Sequence, residues 1–400
     1  MDSKYVEFRP ISSIVDTNVI DFSINGNSED YIALADTLLC VTAKITKSDG
    51  TALTAAEAAK VAPCQYFLNG LFSQVDVSLG DRLVSGGSNT YPYVAFLESC
   101  LTFKPLVKRT QLSTSLWVEE DDVNENFKKR AAYTPKTIQL RGRLHVDFFR
   151  TSRLLINNVD LNIRLSRSKD TFCLDTTEDC DFEPKVKIIE CSLQIKKVKP
   201  SPSVFTHHQQ QLQSTNAKYP YRRVVTKVVS IPTGNQSIHS DNLFLGQLPV
   251  RIVIGFVKHA SFNGSYKTSA FEFPNLGLNY LSLNLNGIQI PATPLTPDFA
   301  NDQYMDAYMT LFQGLGISWK NTSHGITAAK YKDNLALYVF DLTADECVNS
   351  SDHVNLINTG VLRLEAKFAN ALAANITMIC YGEMEQVIEL DSSRNVIAEQ

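Results

Sequence analysis

One local pattern occurs once in each half of this 400-residue chain. The first copy reads Gln74-Val75-Asp76-Val77-Ser78-Leu79-Gly80-Asp81-Arg82-Leu83 and leads into Tyr91-Pro92-Tyr93-Val94-Ala95-Phe96-Leu97. The second reads Tyr280-Leu281-Ser282-Leu283-Asn284-Leu285-Asn286-Gly287-Ile288 and leads into Tyr304-Met305-Asp306-Ala307-Tyr308-Met309. Alternating apolar and polar residues point to opposite faces of a strand, and Gly80-Asp81 or Asn286-Gly287 supplies the backbone freedom of a tight reversal. Two such hairpins, each followed by an aromatic helix-like stretch, read as a duplicated all-β unit.

The remaining segments support that reading. Residues 19–24 alternate and stop at Asn25-Gly26, while residues 37–45 are nearly all apolar or β-branched, as an inner strand requires. Residues 159–165 set Val159, Leu161 and Ile163 on one face and Asp160, Asn162 and Arg164 on the other. Residues 138–148 alternate except at Gly142, which marks a bulge or the close approach of another segment. Residues 188–198 form the last strand of the first half. Strands resume at 223–231 and 250–257 and, after the second hairpin, at 335–342, 361–368 and 376–381. Residues 55–62 are alanine-rich in polar surroundings and read as a short helix in an edge insertion. Each half offers about eight strands and no helical layer to cover them. The expected fold is therefore all-β, a double jelly roll of two eight-stranded antiparallel β-sandwiches with short helices in the loops. Immunoglobulin-like sandwiches would need large insertions to fill halves of this length.

Between the halves the chemistry changes. From Cys191 to Ser240 there is no aspartate or glutamate, while Lys196, Lys197, Lys199, Lys218, Arg222, Arg223 and Lys227 carry positive charge. Pro200 and Pro202 interrupt regular structure, and His207-His208-Gln209-Gln210-Gln211 has no strand signature. The expected domains are an N-terminal jelly roll at 1–198, a basic interdomain linker at 199–222 and a C-terminal jelly roll at 223–400. Two domains are also what a chain of this length needs to keep each core within its usual size.

Several classes of function are excluded or disfavoured. A net charge of -4 argues against a chain that coats nucleic acid along its length. No apolar run approaches the roughly 20 residues that span a bilayer, and the start, Met1-Asp2-Ser3-Lys4-Tyr5-Val6-Glu7-Phe8, lacks the apolar core of a secretory leader, so synthesis in the cytosol is expected. Cys40, Cys64, Cys100, Cys173, Cys180, Cys191, Cys347 and Cys380 include no C-x-x-C pair and read as buried free thiols. Sequons at Asn235, Asn263, Asn321, Asn349 and Asn375 read as chance in a chain rich in Asn, Ser and Thr. No phosphate-binding, dinucleotide, zinc-protease or nucleophile-elbow motif is present. Of His145, His207, His208, His239, His259, His324 and His353, none has the partners of a structural zinc site. His145 and Asp147 share a strand face by spacing but have no nucleophile beside them. No catalytic residue, cofactor or metal is expected. The acidic run Glu119-Glu120-Asp121-Asp122 reads as a solvated face or a salt-sensitive contact to a neighbour, because adjacent carboxylates on an extended loop need not converge on a cation.

The strands also carry a family resemblance. Val6-Glu7-Phe8-Arg9-Pro10-Ile11, Glu29-Asp30-Tyr31-Ile32, Leu71-Phe72-Ser73-Gln74-Val75-Asp76-Val77-Ser78-Leu79 and Asn89-Thr90-Tyr91-Pro92-Tyr93 resemble the N-terminal half of major capsid proteins encoded by Polinton/Maverick elements and adintoviruses. Asn157-Asn158-Val159-Asp160-Leu161-Asn162-Ile163, Ile376-Thr377-Met378-Ile379-Cys380-Tyr381-Gly382-Glu383 and Val387-Ile388-Glu389-Leu390-Asp391 extend the likeness to nearly the whole chain. It implies a structural role without an active site. Two jelly rolls stand side by side, three chains form a pseudo-hexagonal homotrimeric capsomer, and capsomers tile an icosahedral shell around double-stranded DNA, with penton and minor capsid proteins as further partners. It places the protein in the virion capsid. The departure is at the start, where Val6-Glu7-Phe8-Arg9-Pro10 leaves little N-terminal arm for lacing neighbouring capsomers.

On that expectation two groups of residues become candidate contacts. Tyr91, Tyr93 and Phe96, with their counterparts Tyr304, Tyr308 and Phe312, either pack subunit interfaces or close the ends of the sandwiches. Lys196, Lys197, Lys199, Arg222 and Arg223 either meet packaged DNA as sequence-independent phosphate contacts, meet an acidic minor protein, or solubilise a linker. The competing function is a carbohydrate- or receptor-binding β-sandwich at a surface, since jelly rolls also occur in lectins.

Overall fold

The computed structural model describes residues 2–15, 17–85, 89–120, 122–348 and 357–398. In the first half the strands are β1 (Asp2–Phe8), β2 (Val19–Ile24), β3 (Tyr31–Lys47), β4 (Val61–Pro63), β5 (Phe72–Leu79), β6 (Arg82–Leu83), β7 (Ile138–Arg143), β8 (Leu161–Arg167), β9 (Leu174–Thr176) and β10 (Pro184–Lys199). The second half carries β11 (Ala217–Ile231), β12 (Ser237–Gln247), β13 (Arg251–Lys258), β14 (Leu278–Leu285), β15 (Ile288–Leu295), β16 (Leu337–Asp341), β17 (Thr359–Phe368), β18 (Ile376–Leu390) and β19 (Val396–Ala398).

The wiring is the same twice. In the first half the sheets run β1-β10-β3-β7 and β2-β8-β5-β6, with β4 and β9 pairing only each other. In the second they run β11-β18-β13-β16 and β12-β17-β14-β15, with β19 added to β18. Ranked along each half without the short extra strands, both give first-eighth-third-sixth and second-seventh-fourth-fifth. Every connection crosses from one sheet to the other except the hairpin between the fourth and fifth strands. That is a jelly roll, present twice, and the fold is a double jelly roll.

The duplicated pattern is this hairpin. β5 turns into β6 at Gly80, whose φ of 55° belongs to the left-handed region that glycine enters without strain. β14 turns into β15 through Asn286 and Gly287, with φ of 51° and 93°, the mirror-type turn that matches strand twist. Asn286 also accepts a hydrogen bond at Oδ1 from the Val361 N–H at 2.9 Å, tying the turn to the start of β17. Helices Tyr91–Thr102 and Met305–Gln313 follow, each between the fifth and sixth strands of its half.

Alternation decides which face is core. Ile20, Phe22 and Ile24 of β2, Val75, Val77 and Leu79 of β5, and Leu161, Ile163 and Leu165 of β8 are all buried, at about 1.5–3 kcal/mol for each large side chain. Asp21, Asp76 and Arg164 lie on the other face, where Arg164 meets Asp21 at 2.8 Å. β3 is interior to its sheet as expected, yet Leu38, Cys40 and Thr42 are only half-buried, so one of its faces stays open. β13 and the first part of β18 are buried on both faces, and there Arg251 and Glu383 form a directly opposed cross-strand ion pair.

Antiparallel strands wired this way send their connections alternately to two ends. In the first half, residues 9–18, 48–71, 84–137 and 168–183 leave at one end, and residues 25–30, 80–81 and 144–160 at the other. Hydrogen bonds confirm the grouping: Cys64 N–H donates to Cys173 C=O at one end, and Asn158 N–H to Gly26 C=O and Gly80 N–H to Asp160 C=O at the other. In the second half residues 232–236, 259–277, 296–336 and 369–375 share one end, while 248–250, 286–287 and the described parts of the β16–β17 connection, 342–348 and 357–358, share the opposite one. The longest insertions thus collect at a single end of each jelly roll. β10 finishes, and β11 begins, at the end of its own jelly roll that holds the two-residue hairpin turn, called the short-turn end below.

Some local expectations change. Residues 55–62 do hold a short helix, Ala55–Ala58, but Val61 and Ala62 belong to β4 and are fully buried rather than peripheral. β7 stops at Arg143, so His145 and Asp147 share no strand face; Asp147 opens a 3-10 turn, Asp147–Arg150. Gly142 is a close approach, since a Cβ there would lie 2.2 Å from Ser115 Oγ. The stretch 199–222 is regular: helix Pro202–Leu212 carries Pro202 in its first turn, and β11 begins at Ala217. The chain forms two compact units, one of Met1–Ala95, Arg109–Arg223 and Gln386–Gln400, the other of Phe96–Lys108 and Val224–Glu385.

Candidate assembly surfaces

The aromatic candidates fall into two kinds. Tyr91, Tyr93, Phe96 and Tyr304 are buried within one chain, so they have almost no area left to give a neighbour. Tyr91 donates its hydroxyl to Asn69 Oδ1 at 2.8 Å, Tyr93 meets Phe172 edge to face at 5.9 Å, and Phe96 stacks on Phe271 at 4.7 Å. Tyr304 stacks on Phe299 at 5.3 Å and on Tyr331 at 6.2 Å. Tyr308 and Phe312, one helical turn apart, remain half-buried and meet each other edge to face at 5.2 Å. The helix that carries them rests on the sheet through β16, where Thr310 Oγ1 accepts from the Val339 N–H at 3.4 Å.

The basic cluster is less basic in space than in sequence. Lys196, on β10, donates to Asp36 of β3 at 2.9 Å, Lys199 lies 3.6 Å from Glu29, and Lys218 lies 3.1 Å from Glu389. Carboxylates absent from residues 191–240 are supplied by segments far away in the chain. Lys197 sits over the Phe8 ring at 5.6 Å, and Arg222 and Arg223 are half-buried on β11. All five lie toward the short-turn end of their jelly roll. Helix Pro202–Leu212 is fastened there by His208, whose Nδ1 is 3.1 Å from the Tyr31 hydroxyl, and by Gln209, whose Oε1 accepts from Arg394 at 3.2 Å.

The acidic run is occupied by local structure. Glu119 accepts from the Trp117 indole at 2.8 Å, Glu120 pairs with Lys129, and Asp122 caps helix Val123–Ala131 by accepting from the Glu125 N–H at 2.9 Å. Asp121, His353 and the sequon at Asn349 lie outside the described residues. Among the described residues no group of three or more His, Cys, Asp or Glu side chains could hold a metal ion, and no helix is long and apolar enough to cross a membrane. Cys64, Cys100, Cys173, Cys191 and Cys380 are buried free thiols, and burial pushes Cys191 up to about 12; Cys347 is exposed. His145 is a buried partner of the Tyr66 hydroxyl at 2.7 Å.

The compact unit of Phe96–Lys108 and Val224–Glu385 holds two features that no spacing announced. Lys108 is buried with its ammonium donating to the carbonyls of Cys100 and His324, each at 2.6 Å. Trp319 is 95% exposed. Its one sequence cue is the glycine-spaced Gly314-Leu315-Gly316 that precedes it, the mark of a tight turn rather than of a helix.

The repeated eight-strand wiring defines a protein of the double jelly-roll class, the architecture of viral major capsid proteins. No family model matches the sequence. Over 95% of its length the chain is 21% identical to an uncharacterized protein of Caenorhabditis elegans, covering 93% of that protein. In fold it is similar along 100% of its length to a chain of the Sputnik virophage structure, with a TM-score of 0.68, 12% identity and 88% of that chain covered. It is likewise similar along 96% of its length to the Faustovirus major capsid protein, with a TM-score of 0.59, 10% identity and 90% of that chain covered.

Proposed function

We propose that this chain is a major capsid protein whose homotrimers tile an icosahedral shell around double-stranded DNA. The observation that carries the reading is the second complete jelly roll with identical strand order. One chain then supplies two of six positions, and three chains close a pseudo-hexagonal ring by threefold symmetry while leaving a perimeter for neighbouring capsomers. Likeness along the full chain to proteins of viral shells supports it, as does the absence of any motif for catalysis.

In this reading the end with long connections faces outward and the short-turn end faces the genome. Lys196, Lys197, Lys199, Arg222 and Arg223 then approach DNA phosphates, in competition with Asp36 and Glu29, and binding falls steeply with salt. Tyr308 and Phe312 keep the partial exposure that subunit contacts use. Penton and minor capsid proteins complete the virion, which is the site of action after synthesis in the host cytosol. Native mass spectrometry with negative-stain imaging of the purified chain tests the proposal. A stable trimer of hexagonal outline is the expected result; a monomer that binds saccharides would replace it with a lectin-like surface protein.

A further inference from the structure

The connection between β15 and β16 holds Trp319 almost wholly in solvent at a φ of 55°. A bulky side chain in the left-handed region is strained and persists only where its surroundings impose it. Here the turn is closed by backbone bonds on both sides: Gly316 N–H to Gln313 C=O at 2.8 Å, Ile317 N–H to Phe312 C=O at 2.9 Å and Lys320 N–H to Ile317 C=O at 3.1 Å. Phe312 is itself pinned against the buried His324 ring at 4.6 Å. The indole is therefore presented on a fastened turn and contributes nothing to the core, the arrangement of an interface anchor with little ordering left to do on binding.

The same chain carries a receiver. On the open face of the sheet β1-β10-β3-β7 lies a depression of about 500 Å³, lined by Glu7, Cys40, Gln139, Arg141 and Gln194 among others. Arg141 offers a planar cation for a ring face, and the oxygens of Glu7, Gln139 and Gln194 accept from an indole N–H. We propose that Trp319 of one copy enters this depression on a second copy. Anchor and receiver are different residues, so every copy offers both halves of the contact and copies can link in series. The inference rests on the shell-protein reading and names the residues of its contact.

The test measures self-association of the purified full chain by sedimentation, with melting recorded in parallel. Trp319→Ala is expected to weaken association about 30-fold or more, as hot-spot truncations do, with melting unchanged because the ring is exposed. Arg141→Glu is expected to weaken it as well. A photo-crosslinking aromatic amino acid in place of Trp319 should capture peptides containing Cys40 or Arg141 from another copy. Equal association of wild type and Trp319→Ala, or capture confined to other segments, lipid or glycan, overturns the assignment and leaves the shell reading standing. A wild-type chain that stays monomeric at every concentration removes the shell reading itself.

Discussion

Replacing Arg251 by methionine tests how the second jelly roll is held together where its sheet is sealed on both faces. Arg251 Nη2 donates to both carboxylate oxygens of Glu383, at 2.8 and 2.7 Å, and the Tyr381 hydroxyl donates to the same carboxylate at 3.1 Å. Both charged side chains are 6% exposed. Removing the guanidinium leaves a buried carboxylate without its counter-charge, and the loss expected when one partner of a buried ion pair is removed is about 3–5 kcal/mol. For a domain of this size that is about 6–20 °C in Tm. Arg251→Met combined with Glu383→Leu removes both charges and should recover most of the loss, ending within about 1 kcal/mol of wild type or above it. Urea unfolding of the wild type, the two single variants and the double variant gives the coupling directly. If Arg251→Met costs under about 1 kcal/mol, or the double variant is no better than the single, the pair is not the dry contact its geometry describes.

Three further outcomes follow from the geometry. Burial first, and the nearby Lys108 charge second, hold the His324 imidazole at about 4, against 6.5 for an ordinary histidine. Between those values the unfolded chain takes up a proton that the folded chain refuses, so stability should fall by about 3 kcal/mol as pH drops through the window, and His324→Gln should flatten that part of a stability-versus-pH curve. Asn286→Ala loses the side-chain bond to Val361 and a residue suited to positive φ, at about 1–2 kcal/mol by denaturant unfolding, and an unchanged midpoint would remove the turn from the account. Charge reversal at Lys196, Lys197 and Lys199 should leave trimers intact and yield particles that fail to close or retain DNA; part of that cost arises from setting a carboxylate at 196 against Asp36, and normal packaging would sink the inner-surface role.

Local pattern carried much of the fold. The alternation of residues 19–24 and 159–165 and the turn residues at 80 and 286 encode strands and reversals that neighbours only confirm. Strand order was legible as a count of elements and a resemblance, because pairing between β3 and β10 depends on segments far apart in the chain. Helix Pro202–Leu212 escaped notice for a definite reason: its glutamines and histidines carry no apolar stripe, and it is fastened by Tyr31 and Arg394 from distant segments. The basic stretch looked uncompensated for the same reason, since Asp36, Glu29 and Glu389 reach it only through the fold. Burial of Tyr91, Tyr93, Phe96 and Tyr304 was equally invisible, as composition does not say whether a ring packs inside its own chain or against another.

The gathering of long connections at one end of each jelly roll sets how such a chain can be altered. Residues 84–137 and 296–336 leave and re-enter their sandwiches without altering the register of any sheet strand, so a foreign peptide spliced into the exposed part of either should be tolerated. The two-residue turns at the opposite end have no such slack, because Gly80 bonds to Asp160 and Asn286 to Val361. Novelty therefore accumulates at the long-connection end of each jelly roll, and an engineered display scaffold built on this chain would have its grafting end within each jelly roll chosen by the wiring.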